Sequence, residues 1–241
     1  MTNKSTLQYK VTMTENEDLR STDDEPLDPA AMLALVEDQR RSVVGQIASF
    51  VPVILTMWGI VWLVGFGSLW LISGLAPAFA LPVPVAVSIF VALLVAAIVV
   101  SAVLGARSGR GRRGNRAEAF SGIVYGVSWM VGGLAIVAFA QGLAYNGMPA
   151  ALATVFYPVA YALFAGLMYV MSAALWRAVP MLVLGLWTIL VAVAAPFFGV
   201  PTHYLVLALG CGLGFLVLAV VSSVHLARLR ARAAGVEAGR G

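Results

Sequence analysis

The chain has 241 residues, 61% of them hydrophobic and 11% charged, with a mean hydropathy of +0.93 and a formal net charge of +4. Water-soluble domains hold roughly 45–50% apolar and about 25% charged residues, so a soluble globular domain is excluded and a membrane protein is indicated. The single cysteine, Cys211, sits inside an apolar run, which excludes an internal disulfide and any cysteine-based metal site.

Residues 1–28 hold seven acids against three bases and few large apolar side chains. The stretch 1–27 is therefore expected to be a disordered acidic tail in water. At residue 28 the pattern changes. Asp28 can accept a bond from the first free amides of a helix, and Pro29 suits the first helical position, where its missing N–H is not needed. A short amphipathic helix over 28–42 follows, with Met32, Leu33, Leu35 and Val36 on one broad side and Glu37, Asp38, Arg40 and Arg41 mostly off it. It either lies in the membrane interface or extends the first span into the cytoplasm.

Six apolar runs come next, at about 43–74, 83–106, 119–145, 149–175, 179–198 and 202–227, each near or above the ~20 residues that cross a bilayer core. Pro- and Gly-bearing breaks separate them, and Pro52 is a candidate kink in the first. The fold class is all-α: a polytopic membrane protein of six transmembrane helices, closed by a basic tail over 228–241.

The arginines orient the bundle. Arg40 and Arg41 precede the first span, and Arg107, Arg110, Arg112, Arg113 and Arg116 cluster between the second and third. Arg177 lies between the fourth and fifth, and Arg228, Arg230 and Arg232 follow the sixth. The alternate connections contain no Lys, Arg, Asp or Glu. Short cytoplasmic loops collect Lys and Arg, so both termini are expected in the cytoplasm of a bacterium, with the chain in its cytoplasmic (inner) membrane. Contact of these arginines with anionic lipid headgroups follows naturally. Nucleic-acid binding does not, because the charge has a topological cause and the loop lacks aromatic residues for base stacking.

Two stretches echo each other: "WGIVWLVG" from Trp58 to Gly65 and "YGVSWMVG" from Tyr125 to Gly132. A weaker "LGLW" ends at Trp187. The echo suggests a two-helix hairpin used three times in parallel orientation. Gly122 with Gly126, and Gly210 with Gly214, are small residues four apart that favour close helix contact, either within one bundle or between copies in a homo-oligomer.

Catalytic chemistry is missing from the pattern. Every Asp, Glu and Lys lies outside the six runs, whereas proton-coupled transporters and pumps keep such groups within the membrane. His203 and His225 stand near opposite ends of the last run, about 33 Å apart at 1.5 Å per residue. They cannot share a metal, and each is expected to be an interfacial polar residue. Ser128 lacks a nearby base to activate it. No enzyme, cofactor or metal site is expected. What the interior offers is an aromatic set, Trp58, Trp62, Tyr125, Trp129, Tyr157 and Tyr161, which could line a cavity around Ser128 and Gln141. Such a lining suits a small hydrophobic or weakly cationic compound through stacking and cation–π contact, although hydroxyls bonded to backbone and rings that only fill space would give the same pattern.

Over residues 27–67, "LDPAAMLALVEDQRRSV" followed by "WGIVWLVGFG" resembles the opening of an uncharacterised group of actinobacterial multi-pass, transporter-like membrane proteins. The resemblance implies no substrate or catalytic residue. The layout of an interfacial helix, six spans and both termini inside is also similar to the permease subunits of ABC-2 type exporters, which implies an ATPase partner. Those permeases carry a longer second loop with a coupling helix and an acidic "ER-x-x-G-T" pattern, which "RSGRGRRGNRAEAF" lacks. The functions expected are a transporter-like protein without energy-converting chemistry, a non-transporting partner or regulatory subunit, or an ABC-type permease.

Overall fold

Hydrocarbon offers no partner for backbone N–H and C=O groups, so a segment that stays in it must bond to itself as a helix. The computed structural model, which describes residues 29–109 and 116–238, follows that rule. Its helices are α1 (Pro29–Trp70), α2 (Val83–Gly109), α3 (Arg116–Tyr145), α4 (Ala150–Trp176), α5 (Val179–Ala194) and α6 (Thr202–Ala238), with a 3-10 turn over Ala195–Phe198. No strand occurs among the described residues; Leu75 and Phe79 form one isolated bridge. The acidic tail 1–27 and Arg110, Arg112 and Arg113 lie outside the described residues.

Six stretches are long and apolar enough to cross a membrane: Phe50–Trp70, Val83–Arg107, Ala119–Tyr145, Ala150–Trp176, Val179–Phe198 and Thr202–Arg232. This is an integral, multi-pass membrane protein. The helix of the first span starts at Pro29 and runs unbroken to Trp70, with no interruption near residue 42. The chain divides into one unit ending at Gln46 and another from Ile47 to Gly241; the packing below concerns the second.

The connections on either side of α4 are short and chemically specified. Pro149 stands in an extended conformation just before α4, and Pro180 occupies the first turn of α5, where a missing N–H costs nothing. Only Arg177 and Ala178 join α4 to α5. Arg177 takes a left-handed conformation, φ 52°, and donates its N–H to Ala173 O to close the helix. A joint this tight makes α4 and α5 an antiparallel hairpin over the length of the shorter helix, α5.

Small residues set how closely that hairpin packs. Gly166 and Gly185 face each other across it. A Cβ added to Gly185 would lie 2.8 Å from Gly166 O and from Val170 N. Ala162, Ala165, Ala173 and Ala192 are buried on either side, and buried Thr188 bonds Leu184 O within its own helix. A second close crossing brings α1 to α6, where a Cβ on Gly212 would meet the Leu63 backbone at 3.0 Å. Gly210 and Gly214 receive Val191 and Trp187 of α5, so that pair serves contacts inside the bundle. Gly122 and Gly126 have nothing within 4 Å of where a Cβ would stand.

The hairpin echo has a structural counterpart. Gly65 of the first copy receives Phe90 from the next helix, and Gly132 of the second receives Phe164 from the helix after it. The copies diverge six residues earlier: Gly59 abuts Leu216 and Gly212 O of α6, while its counterpart Gly126 faces open space. Burial follows that difference. A third (33%) of the most apolar stretch of α1, α5 and α6 is buried, against 6% for α2 and α3.

Polar groups inside the bundle are used economically. Ser68 shares its proton between Gly65 O and Ala86 O, and Trp58 Nε1 donates to Ser101 Oγ at 3.1 Å, both tying α1 to α2. Hydrogen bonds between membrane helices average about 0.6 kcal/mol in double-mutant cycles. Ser101→Ala is therefore expected to cost about 0.6 kcal/mol in a denaturant titration in mixed micelles, and Trp58→Phe to add nothing further in the double variant.

Candidate functional site

Tyr125 and Trp129 stand four residues apart on α3 and so share one face. That face meets α4. Trp129 packs edge-on against Phe164, with centroids 5.3 Å apart, and meets Tyr169 in a tilted contact at 5.9 Å and 54°. Tyr125 lies 6.2 Å from Trp129 at an interplanar angle of 84° and 4.8 Å from Trp176 at 85°. Edge-to-face pairs of this kind are worth about 0.5–1.5 kcal/mol each beyond the area that they bury. Trp176, the last residue of α4, is 52% exposed, while Tyr125 and Trp129 are half-buried. Two indoles perpendicular to one phenol make an aromatic corner next to Arg177, with Trp176 at its exposed edge.

From this corner ring contacts continue through the whole bundle. Tyr169 meets Phe215 at 5.6 Å, Phe215 stacks on Trp62 at 6.2 Å and 22°, and Trp62 meets Phe66 at 5.2 Å. Phe66 stacks on Tyr204 at 6.4 Å, and Tyr204 lies 3.9 Å from His203 at the opposite end. The run draws on α1, α3, α4 and α6 and fills the space between them.

Apart from Ser128, the residues singled out in the sequence separate into three places. Tyr125 and Trp129 form the corner. Gln141 Nε2 donates to Tyr157 OH at 3.2 Å, and Tyr161 OH donates to Gly133 O at 2.9 Å, fastening α3 to α4 further along. Trp62 is buried on α1 against Phe66 and Phe215, and Trp58 turns toward α2. Ser128 bonds Val124 O on its own helix and lines a shallow outward groove with Ile123, Val127 and Val131. Ser128 and Gln141 are about 20 Å apart along α3 at 1.5 Å per residue, so the structure does not gather the set around that pair.

Trp176, Tyr169, Phe164 and Phe215 join the aromatic system without having been marked as lining. Their signal in the sequence was only the presence of rings, because α4 and α6 are apolar all round and no periodicity shows which side is inward. His203, in the first turn of α6, is fully buried among protein atoms, with Nε2 3.1 Å from Thr154 O and Nδ1 3.3 Å from Gly199 O.

The described arginines all face outward. Arg107 ends α2, Arg177 follows α4, and Arg228, Arg230 and Arg232 lie on the last turns of α6, so the antiparallel packing collects them at one end of the bundle. Arg40, Arg41 and Arg116 lie in helical stretches whose side chains are outside the described residues. Among the described residues no three His, Cys, Asp or Glu side chains come together, and no buried side-chain nitrogen or oxygen lacks a partner. Comparison of the chain with models of protein families, with curated proteins and with solved structures finds no match.

Proposed function

We propose that this membrane protein is transporter-like and binds or moves a small hydrophobic or weakly cationic compound at the corner made by Tyr125, Trp129 and Trp176. The observation that carries the reading is the right-angled meeting of three partly exposed rings at the arginine-bearing end of the bundle. Ring faces held at right angles give an apolar cation several π surfaces at once. With no Asp, Glu or Lys in any span, the chain has no ionisable carboxylate or amine to couple to a proton or sodium gradient. The compound would move down its own gradient or with energy from a separate ATPase. The arginine distribution supports a bacterial cytoplasmic membrane with both termini inside, which puts the corner at the cytoplasmic face.

The test is a titration of the protein in nanodiscs with tetraphenylphosphonium, followed by tryptophan fluorescence. Saturable quenching is expected, weakened at least tenfold by Trp129→Ala and by Tyr125→Ala but not by Trp187→Phe on the far side of α5. Unchanged affinity in both corner variants would remove the reading.

The slight burial of α2 and α3 favours a second role, as a membrane partner or regulatory subunit. Their outward faces leave room for another chain, a second copy included. A stoichiometric companion protein in mild-detergent preparations from native membranes would favour that role. A nucleotide-binding ATPase among the companions would point to the ABC-type permease.

A further inference from the structure

Proline has no N–H, so Pro158 inside α4 leaves the carbonyl of Thr154, four residues back, without its helical donor. An unpaired carbonyl is costly in hydrocarbon and is normally satisfied by a neighbouring helix. Here the first turn of α6 brings two groups to Thr154 O: Tyr204 OH donates at 3.2 Å, and His203 Nε2, 3.1 Å away, donates in the tautomer that carries the proton there. His203 is fully buried, and its backbone N–H donates to Gly199 O at 2.8 Å in the turn that opens α6. Tyr204 is held in turn by Phe66 of α1.

The part of α4 before the proline is held by little else. None of residues 150–157 is buried, whereas Ala162, Ala165, Gly166, Met168, Ser172 and Ala173 beyond it are packed against the rest of the bundle. Besides the bonds to Thr154 O, the Gln141–Tyr157 bond to α3 and a ring contact between Phe139 and Phe156 restrain the stretch. Segments with few buried contacts open at lower free energy than the core that they adjoin.

We infer that residues 150–157 form a flap at the uncharged end of the bundle, hinged at Pro158 and latched to α6 by His203 and Tyr204 through the carbonyl that the proline frees. Releasing the latch lets the flap leave α6 and uncovers the outer end of the α4–α6 seam, while the α4–α5 hairpin stays intact. The inference stands on this geometry alone and does not depend on what the aromatic corner binds.

Hydrogen exchange with mass spectrometry in nanodiscs tests it as a double-mutant cycle. In the wild-type background His203→Leu is expected to speed amide exchange in 150–157 at least tenfold, with 162–173 unchanged. Pro158→Ala restores a backbone donor to Thr154 O, so in that background the same substitution is expected to change exchange less than threefold. Equal acceleration in both backgrounds would show that His203 acts by packing and would overturn the latch. If His203→Leu does not fold, Tyr204→Phe, which removes one hydroxyl, and His203→Gln, which keeps a donor, complete the cycle. Tyr204→Phe should accelerate exchange only when Pro158 is present, and the absence of that dependence would overturn the inference equally.

Discussion

Gly185→Val is expected to destroy the α4–α5 hairpin and with it the recovery of folded protein. Even the first carbon of the new side chain would stand 2.8 Å from Gly166 O and Val170 N. Both are backbone atoms, which cannot rotate aside as a side chain does. Overpacking relieved by side-chain movement costs about 1–3 kcal/mol. Here the helices themselves must part, breaking contacts along the buried alanines that flank the crossing, so the cost is expected to exceed that range. Gly185→Ala should show a milder loss of thermal stability in detergent by size-exclusion chromatography, and Gly126→Ala, at an open position, none. A Gly185→Val protein that elutes and melts like wild type would show that the two backbones do not approach as described.

The physics of the bilayer makes some of this legible in the sequence and hides the rest. Lipid demands some twenty apolar residues per crossing, so the spans stand out, and residues such as Pro149, Gly199 and Pro180 mark where they stop. Inward and outward faces do not stand out, because a side chain facing lipid is as apolar as one facing another helix. Trp62 and Trp129 occupy equivalent positions in the echo, yet Trp62 is buried and Trp129 half-buried. The sequence suggested a single lining shared by α1, α3 and α4; the structure divides the same residues among three contacts. His203 was obscured for a different reason. Its ring meets the carbonyl of Thr154, forty-nine positions earlier in the chain, and no local pattern joins the two.

Phe215→Ala is expected to destabilise the protein by about 2–3 kcal/mol. The ring is 2% exposed and lies between Trp62 of α1 and Tyr169 of α4, so its loss interrupts the aromatic run at its middle. In water-soluble cores Phe→Ala costs about 3–5 kcal/mol, partly from lost transfer out of water. That part is small when the alternative environment is lipid. What remains is the cavity and the dispersion contacts of three rings. Phe215→Leu, which refills most of the space, should cost under about 1.5 kcal/mol. Reversible unfolding in mixed micelles measures both, and a loss below about 0.5 kcal/mol for Phe215→Ala would mean that neighbouring rings collapse into the gap.

The partners of α1 also fix an order of events during synthesis. Its buried residues meet α2 through Ser68 and Phe66, but its tightest crossing and its ring stack are with α6, at Gly212 and Phe215. Phe215 leaves the ribosome about 150 residues after Trp62, which at about 5–20 residues per second is a delay of ~8–30 s. For that interval the positions on α1 that meet Gly212 and Phe215 lack those partners. A nascent chain halted before residue 202 therefore holds neither the close crossing nor the ring stack, and α1 gains both only at the end of translation.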